Sequence, residues 1–168
     1  MGRVSVESET AFAHPPDRIY DFVSNPANWG RTYKGSCGVH QHLELPLKVG
    51  DAWTEKVNLP PNTYSTTWTL ITAIRPRKWV FQQVNRVGML EDGSGGVDGM
   101  VTISYTFETP GQGVTLFTRN LTIELPKGVG MPDDLLTVCC RPDGIDRYHA
   151  AVGKELDEQF GCGVEAQA

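Results

Sequence analysis

The sequence predicts an α+β fold in which one antiparallel sheet curls around a long helix near the end of the chain. Seven short segments alternate between apolar and polar residues, and turns rich in Gly or Pro separate them. A later segment carries apolar residues at helical spacing. The 168 residues fit one domain, and that length can bury a sizeable core. All the helical apolar surface then packs against one concave sheet face.

The first predicted elements are a strand and two short helices. Val4–Phe12 alternates as a half-buried strand does. Pro16–Val23 starts with a proline and continues with apolar residues at helical spacing, which predicts a short helix. Asn25 and Pro26 break that helix, and the stretch PANWGRTY predicts one or two further helical turns.

Six further strands follow, and most of them connect as sequential hairpins. Because strand twist accumulates across a sheet, a meander of this size should curl strongly. The six strands are predicted over Val39–Leu45, Asp51–Val57, Thr66–Ile74, Lys78–Asn85, Gly99–Glu108 and Val114–Leu125. Together with the first strand they make a seven-stranded sheet.

The segment PDGIDRYHAAVGKELDEQF predicts a long amphipathic helix that closes the domain. Its apolar residues recur at three- and four-residue steps, and charged residues occupy the other side. Before it, Met131–Arg141 predicts a shorter helix or lid that starts at Pro132 and ends before Pro142. We assign residues 1–160 to one domain and residues 161–168 to a frayed tail.

Composition and charge narrow the function classes. The net charge is −5 and no run of basic residues occurs, so we predict no nucleic-acid partner. The first ten residues lack the apolar core of a signal peptide, and no apolar stretch approaches membrane-spanning length. We therefore expect a soluble, cytoplasmic protein with no membrane partner.

The cysteine and histidine patterns do not predict a metal site. The four cysteines form no CxxC pair, so we expect free thiols. His40 and His42 would share one face of a strand, as a metal site requires, but Glu44 follows too closely and no later strand histidine completes the set. We predict no metal and no other cofactor.

Three stretches in this order carry a family resemblance. FAHPPDRIYDFVSNPANW follows the first strand, LKVGDAWTE enters the third, and VTISYTFETPGQGVTLFTRNLTIE forms the last hairpin. The set resembles the START/Bet v 1-like (SRPBCC) superfamily, and within it the polyketide cyclase/dehydrase-like branch. The resemblance covers Val4 to Phe160.

The resemblance implies a helix-grip fold, in which a seven-stranded antiparallel sheet grips the C-terminal helix around a deep ligand cavity. Members bind apolar or polyphenolic small molecules, and some cyclise, dehydrate or isomerise them without a metal or redox cofactor. Catalytic residues differ from branch to branch, so the resemblance implies a location and not a mechanism. Met131–Arg141 is longer than a plain hairpin exit needs, which favours a lid over the cavity mouth.

Arg119 interrupts an apolar row on the last predicted strand. In TLFTRNLTIEL the side chains of Phe117, Arg119 and Leu121 share one face, and burying an unpaired charge there costs several kcal/mol, roughly. In one interpretation the arginine reaches into the cavity and binds a ligand carboxylate, phenolate or enolate. In the other it forms a structural ion pair with Glu55 or another acid, or it snorkels to solvent at the strand edge.

Three more residues are candidates for catalysis. His149 lies on the apolar side of the closing helix and could act as a general acid or base there, or be a core histidine bonded to a backbone carbonyl. Glu55 shares a strand face with Trp53; its pKa would be raised by desolvation unless Arg119 pairs with it, and the alternative is a solvated strand residue. Tyr105 could orient a ligand oxygen or simply form part of the cavity wall.

Apolar and aromatic side chains could line the cavity, although most of them must also serve as core. A flat polycyclic ligand would stack on them. The predicted ligand-binding residues are Trp53, Trp68, Phe81, Phe107, Phe117, Tyr148 and Val152.

Together with these residues, the resemblance implies a cofactor-independent enzyme of the cyclase/dehydratase type that acts on an aromatic or polycyclic, polyketide-like small molecule. His149 or Glu55 would move the proton, Arg119 would stabilise an oxyanion, and Tyr105 would orient the ligand. The alternative is a non-catalytic carrier or self-resistance protein that binds a hydrophobic small molecule. Either could be a monomer or a homodimer.

Overall fold

The computed structural model describes residues 2–162, and alternating segments in this range form two antiparallel sheets. The larger sheet has six strands and the smaller one is a two-stranded hairpin. In chain order the strands are β1 Gly2–Phe12, β2 Ala52–Leu59, β3 Asn62–Ile74, β4 Lys78–Gln83, β5 Val87–Met89, β6 Gly95–Val97, β7 Met100–Gly111 and β8 Val114–Leu125. Strands β5 and β6 form the hairpin.

The large sheet has the order β1-β8-β7-β4-β3-β2, so the first strand lies beside the last one. All its neighbouring pairs are antiparallel. The register of β3 against β4 shifts between Leu70 and Thr72, which marks a bulge. Bulges increase local twist and bend a strand, and this helps the sheet to curve around the helix.

The predicted strand over Val39–Leu45 is wrong, and the main sheet has six strands instead of seven. Instead of a backbone ladder, the side chain of Gln41 pairs with the edge strand β2. Its amide donates to the Ala52 carbonyl at 3.2 Å and accepts from the Thr54 amide at 3.0 Å. The segment buries few apolar groups, so a further strand would gain little there.

Four α-helices accompany the sheets in the described part of the chain, at the predicted positions. They are α1 Pro16–Val23, α2 Trp29–Thr32, α3 Asp133–Cys139 and α4 Pro142–Phe160, and a single 3₁₀ turn, Pro26–Asn28, precedes α2. Helix α4 ends at Gly161, whose φ of 79° suits a residue without a Cβ. The predicted frayed tail lies mostly outside the described residues, which end at residue 162.

Aromatic side chains join the sheet to α4. The Trp53 and Trp79 rings are stacked at 5.7 Å, and Trp79 is stacked on Tyr105 at 5.6 Å. Tyr105 in turn faces Tyr148 of α4 at 6.3 Å. This continuous row makes α4 part of the same core as the sheet. Within residues 2–162, none of the helices combines the length and apolar character needed to span a bilayer.

Candidate functional site

A central cavity lies between the inner face of the sheet, α3 and α4. Its volume is about 100 Å³ when measured as the space open to the centre of a water molecule, which is room for several waters. Side chains from β2, β3, β4, β7, β8 and three helices line it. Six of the predicted site residues are among them: Glu55, Trp68, Phe81, Tyr105, Arg119 and Tyr148.

Arg119 is the charged centre of this cavity. Its side chain is only 4% exposed, and its Nε has no hydrogen-bond partner among the described residues. Within residues 2–162 no ion pair joins it to Glu55 or to any other acid. The guanidinium carbon lies 5.3 Å from the ring centre of Tyr33 and 5.6 Å from that of Tyr148. These aromatic faces offset part of the cost of burying the charge.

Glu55 lies on the β2 side of the cavity and is also buried. The indole Nε1 of Trp68 donates a hydrogen bond to its Oε2 at 3.1 Å. Burial raises the pKa of the Glu55 carboxyl, although hydrogen bonds from Ser36 and Trp68 and the charge of Arg119 offset part of this effect. A carboxyl with a raised pKa exchanges protons more readily near neutral pH than an exposed one does.

Three tyrosines supply hydroxyl groups around Arg119. Burial raises the pKa of Tyr33 and of Tyr105 against the opposing effect of the Arg119 charge. Burial and the neighbouring Tyr105 raise the pKa of Tyr148 well above its ordinary value. All three therefore stay protonated near neutral pH and can donate hydrogen bonds to a ligand oxygen.

Helix α3 covers the cavity, as the sequence predicted for a lid. Leu135, Val138 and Cys139 from this helix line the cavity wall. Asp134 fixes the helix to β3, because its Oδ2 accepts hydrogen bonds from the Tyr64 hydroxyl at 2.5 Å and from the Asn62 amide at 3.2 Å.

The lid brings one cysteine into the cavity wall. Burial raises the pKa of the Cys139 thiol to about 11, with the Arg119 charge opposing that effect. A thiol with this pKa stays protonated and is a poor nucleophile. Cys139 therefore forms part of the cavity wall. No group of three His, Cys, Asp or Glu side chains in residues 2–162 is arranged to hold a metal ion.

Four predicted ligand-binding residues lie in the core and not on the cavity wall. None of them is among the residues that line the cavity, and all are buried. Each shares a strand or helix face with a residue that does line it, so the sequence pattern alone does not separate wall from core. The four are Trp53, Phe107, Phe117 and Val152.

His149 was predicted to line the cavity, and the structure places it elsewhere. It faces the first strand, where its Nδ1 lies 2.7 Å from the Thr10 Oγ1. The rings of Phe12 and Phe117 pack against the imidazole at 6.4 Å and 4.8 Å. The predicted role of proton carrier therefore does not fit this position, and a buried side chain in the β1–α4 seam does.

We expect His149 to make stability depend on pH. Burial, together with the Arg119 charge, lowers the pKa of His149 to about 4. In the unfolded chain it titrates near about 6.5. Below about pH 6.5 the unfolded chain binds a proton at this histidine that the folded chain does not bind. The contribution of His149 to the free energy of unfolding is therefore fully present above about pH 6.5 and falls as the pH drops towards 4. Between about pH 7 and pH 5 this single group should remove about 2 kcal/mol.

Urea unfolding of the wild type and of His149→Gln at these two pH values checks this expectation. The difference in free energy of unfolding between pH 7 and pH 5 should be about 2 kcal/mol smaller in the variant. His42→Gln serves as the control, because that histidine is exposed in a loop. Equal pH dependence in the wild type and His149→Gln would contradict the expectation.

This chain is similar to known proteins in its three-dimensional structure. No protein-family model and no curated protein sequence matches this chain. The solved structure of Ara h 8.0201 matches with a TM-score of 0.67 at 12% identity, over 93% of this chain and 99% of that one. A START superfamily protein from Mycobacterium smegmatis matches with a TM-score of 0.65 at 11% identity, over 95% and 100%.

A third match is the di-domain ARO/CYC protein StfQ from the steffimycin biosynthetic pathway. Its TM-score is 0.68 at 13% identity, over 95% of this chain and 52% of that one. This chain has the helix-grip fold. The predicted α+β class and the predicted similarity to Bet v 1-like and START proteins are confirmed at the level of fold. The helix-grip chain corresponds in length to about half of StfQ.

The helix-grip cavity also includes residues that the sequence analysis missed. Gln83, Tyr64 and Thr66 face it from the sheet. Gln83 follows Trp79 and Phe81 at two-residue steps, and this alternation was the available signal. Thr66 is two residues from Trp68 in the predicted strand and had the same signal, whereas Tyr64 lay outside that strand, because β3 starts four residues earlier than predicted.

Proposed function

We propose that this helix-grip protein binds an aromatic or polycyclic small molecule that carries an acidic hydroxyl group or an enolisable carbonyl group. It would catalyse closure of a ring in this molecule with loss of water. The observation that carries the proposal is Arg119, a buried guanidinium in an aromatic cavity whose Nε has no partner in the part of the chain that the structure describes. A ligand oxyanion would supply the missing partner and form a charge-assisted hydrogen bond. The similarity in fold to StfQ, which is described as an ARO/CYC protein, favours this proposal.

The proposed reaction divides the steps among cavity residues. The Glu55 carboxylate removes a proton from a carbon next to a carbonyl group, and the electron pair moves onto the carbonyl oxygen. Arg119 and a tyrosine hydroxyl stabilise that enolate oxygen. The enolate carbon attacks a second carbonyl carbon of the same molecule, and the new alkoxide takes up a proton. That proton comes from the Glu55 carboxyl, which is then a carboxylate again. Glu55 next removes a second proton from the attacking carbon, and the hydroxyl leaves with this proton as water, so the net change is one new carbon–carbon bond and the loss of one water.

A short linear aryl triketone tests the proposal. Closure of its chain with loss of one water gives an aryl-substituted resorcinol, which chromatography separates from the open triketone. We expect the protein to accelerate this closure and Glu55→Gln to lower the rate by about 10²–10⁴-fold, because the general base is lost. Glu44→Gln is the matched control, since that glutamate is exposed in a loop.

The alternative function is a carrier that holds an aromatic ligand without changing it. The lid helix α3, fixed to β3 through Asp134, favours retention of a bound molecule. A carrier would bind the triketone or the resorcinol tightly, yet the closure rate would equal the uncatalysed rate. That result, with Arg119→Met reducing the affinity, would overturn the catalytic proposal and support the carrier.

A further inference from the structure

Gln83 places a second polar group on the cavity wall. It comes from β4, its side chain is 8% exposed, and it lines the cavity. A buried amide has a carbonyl oxygen that accepts hydrogen bonds and an amino group that donates two. Which of the two faces the cavity decides what a ligand must present there.

The neighbouring loop fixes the orientation of this amide. The Nδ2 of Asn85 donates to the Ser65 carbonyl at 2.7 Å, and the Asn85 Oδ1 accepts from the Thr67 amide at 2.9 Å. The Asn85 Oδ1 is therefore an acceptor towards Gln83. The Gln83 Nε2 lies 3.1 Å from that oxygen and 3.1 Å from the Arg86 carbonyl oxygen.

Both N–H groups of the Gln83 Nε2 therefore donate to oxygens that can only accept hydrogen bonds. Rotating the amide by half a turn would place its oxygen against two acceptor oxygens, which the network excludes. Among the described residues no group donates a hydrogen bond to the Gln83 Oε1. The Gln83 Oε1 is therefore left as an acceptor on a residue that lines the cavity.

Gln83 and Arg119 lie at different levels of the sheet. Gln82 pairs with Thr102, so Gln83 comes level with Val101, which pairs with Ile123. Arg119 is four residues from Ile123 along β8, and β8 is two strands from β4. Strand geometry then separates the Gln83 and Arg119 Cα atoms by about 16 Å. Both side chains extend into the cavity, so the gap between their polar atoms is shorter and suits a molecule of two rings.

We infer that the ligand carries a hydrogen-bond donor, such as a phenolic hydroxyl, at the end remote from its oxyanion, and that Gln83 selects for it. This inference rests on the proposed anchoring of an oxyanion by Arg119. A site built to accept a hydrogen bond discriminates against an analogue that lacks the donor, because the acceptor is then left unpaired.

Three aromatic acids test the inference by calorimetric titration. The probes are para-phenylbenzoic acid, the analogue with a hydroxyl at the far para position, and the methyl ether of that analogue. We expect the wild type to bind the hydroxy acid about tenfold more tightly than the other two. In Gln83→Met the preference should disappear, because methionine keeps the length of the side chain and removes the acceptor.

Gln82→Met is the matched control on the same strand. Gln82 lies on the outer face, where its amide donates to the Thr102 hydroxyl, so the preference should persist. Comparison of the three acids on the wild type decides the inference even where Gln83→Met folds poorly. A wild type that binds the hydroxy acid no better than its methyl ether overturns the inference.

The outcomes separate this inference from the proposed function. Affinity that depends on Arg119 without a preference for the hydroxyl overturns the inference alone. A hydroxyl preference without dependence on Arg119 overturns the anchoring role and leaves Gln83 as the selective group. Failure of all three acids to bind at millimolar concentration counts against both.

Discussion

We expect Arg119→Met to stabilise the folded protein and to weaken ligand binding at the same time. The guanidinium is buried and forms no ion pair with an acid in residues 2–162, and methionine fills a similar volume without a charge. Replacement of buried charged groups by apolar ones often stabilises a protein by about 1–4 kcal/mol. For a chain of this size, each kcal/mol raises the melting temperature by about 2–4 °C.

The same substitution removes the proposed anchor. Loss of a charge-assisted hydrogen bond should weaken the binding of para-phenylbenzoic acid by about 10–100-fold. Thermal unfolding and calorimetric titration measure the two effects on one preparation. Arg77→Met is the control, because Arg77 is exposed and should change neither quantity. If Arg119→Met melts below the wild type and still binds the acid, Arg119 holds the fold together and is not an anchor.

Phe117→Ala should give the largest loss of stability among the residues discussed. Phe117 is fully buried, and its ring contacts those of Tyr105, Phe107 and His149 at 4.8–5.3 Å. Truncation of a buried phenylalanine to alanine costs about 3–5 kcal/mol, because it removes apolar contacts and leaves a cavity. The melting temperature should therefore fall by about 6–20 °C.

Phe160→Ala is the matched control for this prediction. Phe160 is 51% exposed at the end of α4, where its ring contacts the guanidinium of Arg18 at 4.3 Å. Such an exposed cation–π contact contributes about 0.5–1 kcal/mol. Denaturant unfolding of both variants compares a core position with a surface one. Equal losses in the two variants would show that Phe117 does not belong to the core.

The strand residues of the site could be predicted because successive side chains on a strand alternate between its two faces. Alternation by two placed Arg119 and Glu55 on the inner face of the sheet, and both line the cavity. The helix was harder, because one residue step turns the side chain by about 100°. Tyr148 faces the cavity, whereas its neighbour His149 faces β1, although both lie on the apolar side of α4.

Other features depend on contacts that no local pattern contains. Asn85 and Arg86, which come directly after β4, accept hydrogen bonds from the Gln83 Nε2. These contacts determine which end of the Gln83 amide is left to accept a hydrogen bond. The segment Val39–Leu45 alternates like a strand, yet the Gln41 side chain takes the place of its backbone at the sheet edge. Both outcomes depend on tertiary hydrogen bonds, which sequence periodicity does not record.

The order of strands has a consequence for how this chain reaches its native state. Within the described sheet β1 is an edge strand beside β8, with Gly2 opposite Leu125. During synthesis on the ribosome, β1 therefore waits without a strand partner until β8 has emerged. Pairings between such distant segments slow folding, because a long loop must close before the contact is gained. The earliest of the described strands to be synthesised is thus among the last to be paired.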